Sequence, residues 1–248
     1  MSVTELVVPT QDLPDLATPA YDGEDAPTLT PATIRLWNAF SPLPVERRRW
    51  ALSVGRVEPV KAGDACRVSG EVAFVVSGCL ALEAEGSDLA ADLLAAGGLV
   101  ASGAPRTVLG QWITDGELYR VSTDDWLMKA GTDGLGHLLA ASDVRRAMLE
   151  RRLHCATAHR ATARLADLFL MVHEATGQSD IPLSQARLAT MLGLRRTTVN
   201  GSCRALEQAG GLRTRRGHAR ILDAASLTAA ACGCRRSPGA RPEDPALS

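Results

Sequence analysis

The chain has 248 residues, 46% of them hydrophobic, enough for one or two domains with real cores. It has no uncharged apolar run long enough to span a bilayer, and its first residues lack a basic-then-apolar leader pattern, so a cytoplasmic protein without membrane contact is expected. Aromatic residues make up only 4%, so the cores should be built from Leu, Val and Ala. Of the 27 basic residues only Lys61 and Lys129 are lysine. Arg-richness is therefore a general bias of this chain, and only its clustering is informative.

Residues 1–30 hold six acids, four prolines and no basic residue, and are expected to form a disordered acidic tail. Residues 32–52 predict one or two short helices broken by Pro42 and Pro44, with Arg47-Arg48-Arg49 as a solvated basic face. Between 54 and 125 short β-type runs recur, at Val57–Val60, Val72–Val76, Cys79–Glu83, Leu89–Leu94, Val108–Ile113 and Leu118–Val121. Turn signals such as Ser77-Gly78, Gly97-Gly98 and Asp115-Gly116 separate them, which predicts an antiparallel sandwich or small barrel. Residues 134–175 read as helical with a break near Cys155–Ala158, and Leu138, Ala141, Met148, Leu149, Leu153 and Ala156 fall roughly on one side. Gly177–Asp180 reads as a linker.

The stretch 182–222 carries the strongest signal. Ser184 is a helix N-cap before the buried periodicity of Leu188, Met191 and Leu192, and Gly193 ends that helix. A second helix starts at about Arg195, with Val199, Cys203 and Leu206 inward and Arg195, Arg196, Thr197, Asn200 and Arg204 outward. Two helices joined by a short Gly-containing turn form a helix-turn-helix. From 187 to 220 there are eight arginines (187, 195, 196, 204, 213, 215, 216 and 220) against the single acid Glu207. A local excess of this size in a chain of net charge −1 suits a polyanion.

The motifs in this stretch resemble the winged helix-turn-helix of the Crp/Fnr family of transcription regulators. The residues that carry the likeness are Leu183-Ser184-Gln185, Leu188-Ala189, Gly193, Arg196, Thr198-Val199, Leu206 and Gly210, with Arg215-Arg216-Gly217-His218 as the turn of the wing. The resemblance implies that the second helix enters the major groove of double-stranded DNA and that Arg196 reads a guanine edge. Arg195, Thr197, Thr198, Asn200 and Arg204 are its candidate neighbours, and Ser184, Gln185, Arg215, Arg216 and His218 candidate phosphate contacts. Gly201 stands where relatives often have a second Arg, so a different target sequence is implied. By the same resemblance 54–125 is a jelly-roll sensor domain, in which Phe74–Gly78 matches a strand-then-Gly turn. Arg106 and Thr107 fall where relatives grip a cyclic-nucleotide phosphate. Ser102 replaces the ribose-binding Glu, the loop before Arg106 is short, and Leu149-Glu150 replaces the polar pair that meets adenine. Cyclic AMP is therefore not expected to act as the effector.

An enzyme of the metal-dependent jelly-roll type is disfavoured, because all five histidines (137, 154, 159, 173 and 218) lie outside the β region. The six cysteines are scattered, and the Cys232-Gly233-Cys234 spacing is tighter than a usual zinc motif, so neither metal nor cofactor is expected. Two alternatives remain: a small-molecule sensor with secondary DNA affinity, and a thiol-based redox regulator. The reading is an α+β chain. A disordered acidic tail (1–30) precedes a jelly-roll sensor domain (31–133), a dimerisation helix (134–160), a winged helix-turn-helix (161–234) and a disordered tail (235–248). Its expected partners are double-stranded DNA, a second copy of the chain and RNA polymerase, with an effector of unknown identity.

Overall fold

The computed structural model describes residues 30–103 and 106–235, so the expected acidic tail up to residue 29 and the C-terminal tail from 236 lie outside the described residues. Thr30 caps helix α1 (Pro31–Ala39) by accepting from the Thr33 amide at 3.1 Å, and Pro31 sits in the first turn, where no amide is needed. Pro44 then precedes α2 (Val45–Val54). Arg47 and Arg48 are not a solvated face. Arg47 reaches the Ala130 carbonyl and Asp133, each at 2.5 Å, and Arg48 bonds the Leu43 and Ser41 carbonyls and stacks over Trp37. The guanidinium groups tie the N-terminal helices to each other and to the next helical layer.

Eight strands follow: β1 (Arg56–Val60), β2 (Ala65–Ser69), β3 (Glu71–Ser77), β4 (Leu80–Glu83), β5 (Ala90–Leu94), β6 (Leu99–Ala101), β7 (Thr107–Trp112) and β8 (Gly116–Ser122). They pair as two four-stranded antiparallel sheets, β1-β8-β3-β6 and β2-β7-β4-β5, which is the strand order of a jelly roll. The inner faces meet through Cys66, Val68, Ala73, Val75, Leu80, Leu82, Trp112 and Leu118. The outer face of the first sheet, with Val72, Phe74, Val76, Tyr119 and Val121, is covered by Leu36, Phe40, Ala51 and Trp126 of the helices. Strand β3 is thus buried on both faces, which explains its unbroken apolar run. Arg120, almost buried, crosses between the sheets from β8 to the Arg67 carbonyl of β2 and pairs with Glu58 at 2.6 Å and Glu71 at 2.8 Å.

Helix α3 (Thr123–Ala158) runs 36 residues and starts at Thr123, earlier than the glycine-rich sequence suggests. Gly131 interrupts it at φ 57°, ψ −139°, and the Trp126 indole donates across the break to the Gly134 carbonyl at 3.2 Å. After Ala158 the backbone extends through His159 and Arg160 before α4 (Ala161–Thr176) begins. The C-terminal domain adds β9 (Asp180–Ile181), α5 (Gln185–Leu192), α6 (Arg196–Gln208), β10 (Leu212–Arg215), β11 (His218–Ile221) and α7 (Ala224–Ala230). Its core of Leu165, Phe169, Leu188, Val199, Leu206 and Leu227 continues into Cys79, Ala81, Leu93 and Ile113 on the outer face of the second sheet. The two domains therefore share one apolar cluster. Among the described residues no helix is long and apolar enough to cross a membrane.

Candidate nucleic-acid interface

The helix-turn-helix forms where its local signals place it. The Ser184 hydroxyl accepts from the Arg187 amide at 3.1 Å as N-cap of α5, and Gly193 at φ 62° supplies the left-handed residue that ends it. Arg195 is the N-cap residue of α6. Val199, Ser202, Cys203 and Leu206 are buried beneath α6, while Arg196, Thr197, Thr198, Gly201 and Arg204 are exposed and Asn200 is half-buried. The Arg164 guanidinium satisfies the Leu192 carbonyl at 2.7 Å, so the end of α5 and the turn are held against α4.

Arginine 187 departs from the rest of the basic cluster. It pairs with Glu83 on the jelly roll at 3.1 Å, half-buried, and is a domain-to-domain contact. The other seven, Arg195, Arg196, Arg204, Arg213, Arg215, Arg216 and Arg220, are all exposed, and none pairs with a carboxylate among the described residues. Strand register makes the excess costlier still. Arg213 stands directly across from Arg220. Like charges opposite each other in an antiparallel pair are destabilising unless a polyanion lies over them.

The wing is braced by the only acid of the segment. Glu207, on α6, accepts from the Thr214 amide at 2.6 Å and its hydroxyl at 2.7 Å. Arg216 and Gly217 form the two-residue turn that closes the wing, so Arg216 stands at its tip. His218 faces Asp180 across the sheet at 3.4 Å, an engagement that its expected phosphate role does not require. Replacing Glu207 by alanine should cost about 1–2 kcal/mol of stability, the net value of such bonds, in denaturant unfolding of the full chain. The same variant separates position from charge. It raises local positive charge, yet DNA affinity should fall because the wing loses its brace; stronger binding would mean that wing placement is immaterial.

Among the described residues, Arg106 and Thr107 are engaged with neighbours on the jelly roll. Arg106 is exposed and pairs with the equally exposed Glu85 at 2.9 Å, and Thr107 meets Ser69 at 3.2 Å. Ser102 is buried and spends its hydroxyl on the Arg106 carbonyl. Between the end of β6 and the start of β7 no helix occurs among the described residues. On α3, Glu150 pairs with Arg146 at 2.9 Å, and Leu149 lines a cavity instead. That cavity, about 500 Å³, lies between β5, α3, α4 and α5, and Asp92, Met148, Arg152, Met171 and Met191 also line it. Burial pushes the Asp92 carboxyl up, against the opposing pull of Arg152.

One constellation is invisible in the sequence. Cys155, near the end of α3, meets Cys232 at 3.6 Å between sulfurs, and Cys234 completes a group of three thiols within 4.8 Å of one another. Cys155 and Cys232 are 77 positions apart, so no spacing rule links them; only the Cys232-Gly233-Cys234 pair is a visible cue. The remaining cysteines are buried, and burial pushes the thiols of Cys79 and Cys203 up to about 12 and about 11. Arg235, assigned from sequence to a disordered tail, is instead clamped by Asp167 at 3.0 Å and Glu174 at 2.9 Å.

Comparison with known proteins follows the same division. Residues 163–230 match the family model of the Crp-like helix-turn-helix domain. No curated protein matches the chain. Among solved structures, a protein from Eubacterium rectale described as a transcriptional regulator of the Crp/Fnr family aligns at TM-score 0.59 and 17% identity, over 79% of this chain and 96% of that one. FixK2 from Bradyrhizobium japonicum aligns at 0.57 and 17%, over 72% and 98%. A protein from Silicibacter pomeroyi described as a cAMP-binding regulatory protein aligns at 0.56 and 18%, over 82% and 100%. The α+β fold, jelly roll, long helix and C-terminal helix-turn-helix, is the one these structures share.

Proposed function

We propose that this chain, a Crp-like helix-turn-helix domain joined to a jelly roll in the architecture of the Crp/Fnr regulators, is a transcription regulator that binds a two-fold DNA site as a homodimer. The observation that carries the reading is the set of seven exposed arginines with no described carboxylate partner on α6 and the wing. In this reading α6 lies in the major groove, and Arg196 on its first turn bonds a guanine edge, with Arg195, Thr197, Thr198, Asn200 and Arg204 beside it. Ser184, Gln185, Arg215, Arg216 and His218 hold phosphates and set the register. No catalytic role is assigned to any residue. RNA polymerase is a further partner, and the cytoplasm the expected site of action.

Helix α3 supports the dimer. Leu135, Leu139, Leu149 and Leu153 are exposed, at 47%, 59%, 42% and 69%, and with Ser142 and Arg146 they occupy successive positions four and three apart. That spacing is a heptad seam. It shares Leu149 and Leu153 with the side that the sequence suggests, whereas Leu138 and Ala141 of that side pack against the jelly-roll core. The sensor is read as unresponsive to cyclic AMP and cyclic GMP, because Arg106 is exposed and paired with Glu85 and, among the described residues, no helix lies between β6 and β7. An effector, if one acts, has the cavity between β5, α3, α4 and α5 available to it.

Selection of bound DNA from a random pool, with light scattering of the same preparation, tests the reading. A two-fold site is expected, with half-sites about 34 Å apart, together with a dimer at micromolar concentration and no change on adding either cyclic nucleotide. A monomer that still selects a specific site would sink the dimer, and micromolar nucleotide binding that alters DNA affinity would overturn the sensor assignment.

A further inference from the structure

We propose that Cys155, Cys232 and Cys234 form a three-thiolate site for a thiophilic metal ion, zinc being the ion it fits, and that the bound ion clamps the hinge between α3 and α4. The three sulfurs lie within 4.8 Å of one another, and Cys155 and Cys232 are 3.6 Å apart. Zinc–thiolate bonds of about 2.3 Å in tetrahedral geometry place sulfurs about 3.8 Å apart, close to the separation already present. A disulfide would use two of the thiols and leave the third without a role. Three thiolates leave a fourth position to water or a small ligand, and binding releases the thiol protons to solvent with no change of oxidation state.

The site is built before any ion arrives. Gly233 at φ 75° turns the chain between its two flanking cysteines. The Cys232 amide donates to the Ala163 carbonyl at 3.3 Å. Immediately after Cys234, Arg235 is pinned to Asp167 and Glu174, its side chain 2% exposed. Both ends of the short segment are thus fixed to α4. Arg152, three residues before Cys155 on α3, lines the same cavity and is a cation suited to a site whose net charge is negative once zinc is bound. Cys155 and Cys234 also line the cavity between the domains, which gives an ion a route in.

The position gives the site a consequence. Cys155 is on the last turn of α3, before the extended residues His159 and Arg160. Cys232 and Cys234 are fastened to α4, beyond them, and α4 shares its core with α6. An ion holding all three therefore ties the long helix to the domain that carries α6. This coupling rests on the DNA-binding reading above; the metal site does not.

The experiment uses the full-length chain, reduced and stripped of metal, titrated with zinc against a chromogenic chelator. One zinc per chain is expected. Cobalt(II) in its place should give a thiolate-to-cobalt charge-transfer band of the intensity of three thiolates. Cys155→Ser should weaken zinc binding by at least about 100-fold, beyond the 10- to 100-fold typical of losing an outer-shell partner. Cys79→Ala should leave it unchanged. No stoichiometric zinc, a cobalt band of fewer than three thiolates, or unchanged affinity in Cys155→Ser overturns the site; the cobalt spectrum decides even where a variant fails to fold. With zinc bound, affinity for the selected DNA should change at least about fivefold, the scale of a modest coupling between sites. An unchanged affinity overturns the clamp, whereas a chain that selects no DNA at all refutes the regulator reading and leaves the zinc titration intact.

Discussion

Alanine at position 196 is expected to lower affinity for the selected DNA site by about 5- to 150-fold, the loss of about 1–3 kcal/mol carried by one bidentate bond pair to a base. The loss should be specific: binding to a variant site changed at the base pair that Arg196 reads should fall much less, so that preference at one base pair per half-site relaxes. Arg196 sits on the exposed face of the first turn of α6, above the buried Val199 and Cys203, where a side chain in the major groove meets base edges. Arg216 is the contrast. At the tip of the wing turn it should lie beside the backbone, so Arg216→Ala should weaken all sequences alike and reduce the salt slope by about one unit for each phosphate that is no longer neutralised. Both variants are compared on the two sites over a salt series. Full discrimination by Arg196→Ala, or an altered base preference in Arg216→Ala, would mean that α6 is not the helix in the groove.

The helix-turn-helix that carries these residues is legible in the sequence because it rests on local rules. A Ser cap, a Gly at positive φ and apolar spacing specify α5 and α6 within a few residues of each other, whatever the rest of the chain does. The strands are less legible. β2 escapes notice because its buried face has only Cys66 and Val68, and β6 because it has three residues beside Gly97-Gly98. The onset of α3 has a usable signal, Ser122 followed by Asp124 and Asp125, but Gly131, Gly134 and Gly136 argue against a helix there. What the sequence does not show is long-range pairing. Arg187 counts as one more basic residue until Glu83, 104 positions away, is placed against it. The Arg47-Arg48 run looks solvated until Ala130 and Asp133 arrive to receive Arg47. The thiol cluster belongs to the same class, since its members come from opposite sides of a hinge.

Trp126→Ala is expected to cost about 3–5 kcal/mol, the usual range for deleting a buried large aromatic side chain, and so a large part of the about 5–15 kcal/mol that holds a domain folded. Trp126 is fully buried, with ring centroids 5.9 Å from Phe40, 6.3 Å from Trp50, 5.5 Å from Phe74 and 6.1 Å from His137. Aromatics are only 4% of this chain, so few large side chains lie elsewhere to fill the void. Its indole N–H also bonds the Gly134 carbonyl across the Gly131 break, so the substitution should loosen the start of α3 as well as the core beneath it. Trp126→Phe separates the two contributions. It retains most of the buried area but not the bond, and should recover more than half of the stability that the alanine variant forfeits. Denaturant unfolding followed by far-ultraviolet circular dichroism gives both values. A cost below about 1 kcal/mol for Trp126→Ala would place the residue outside the cooperative core. Equal costs for the two variants would mean that the hydrogen bond across the break, and not aromatic packing, joins α3 to the jelly roll.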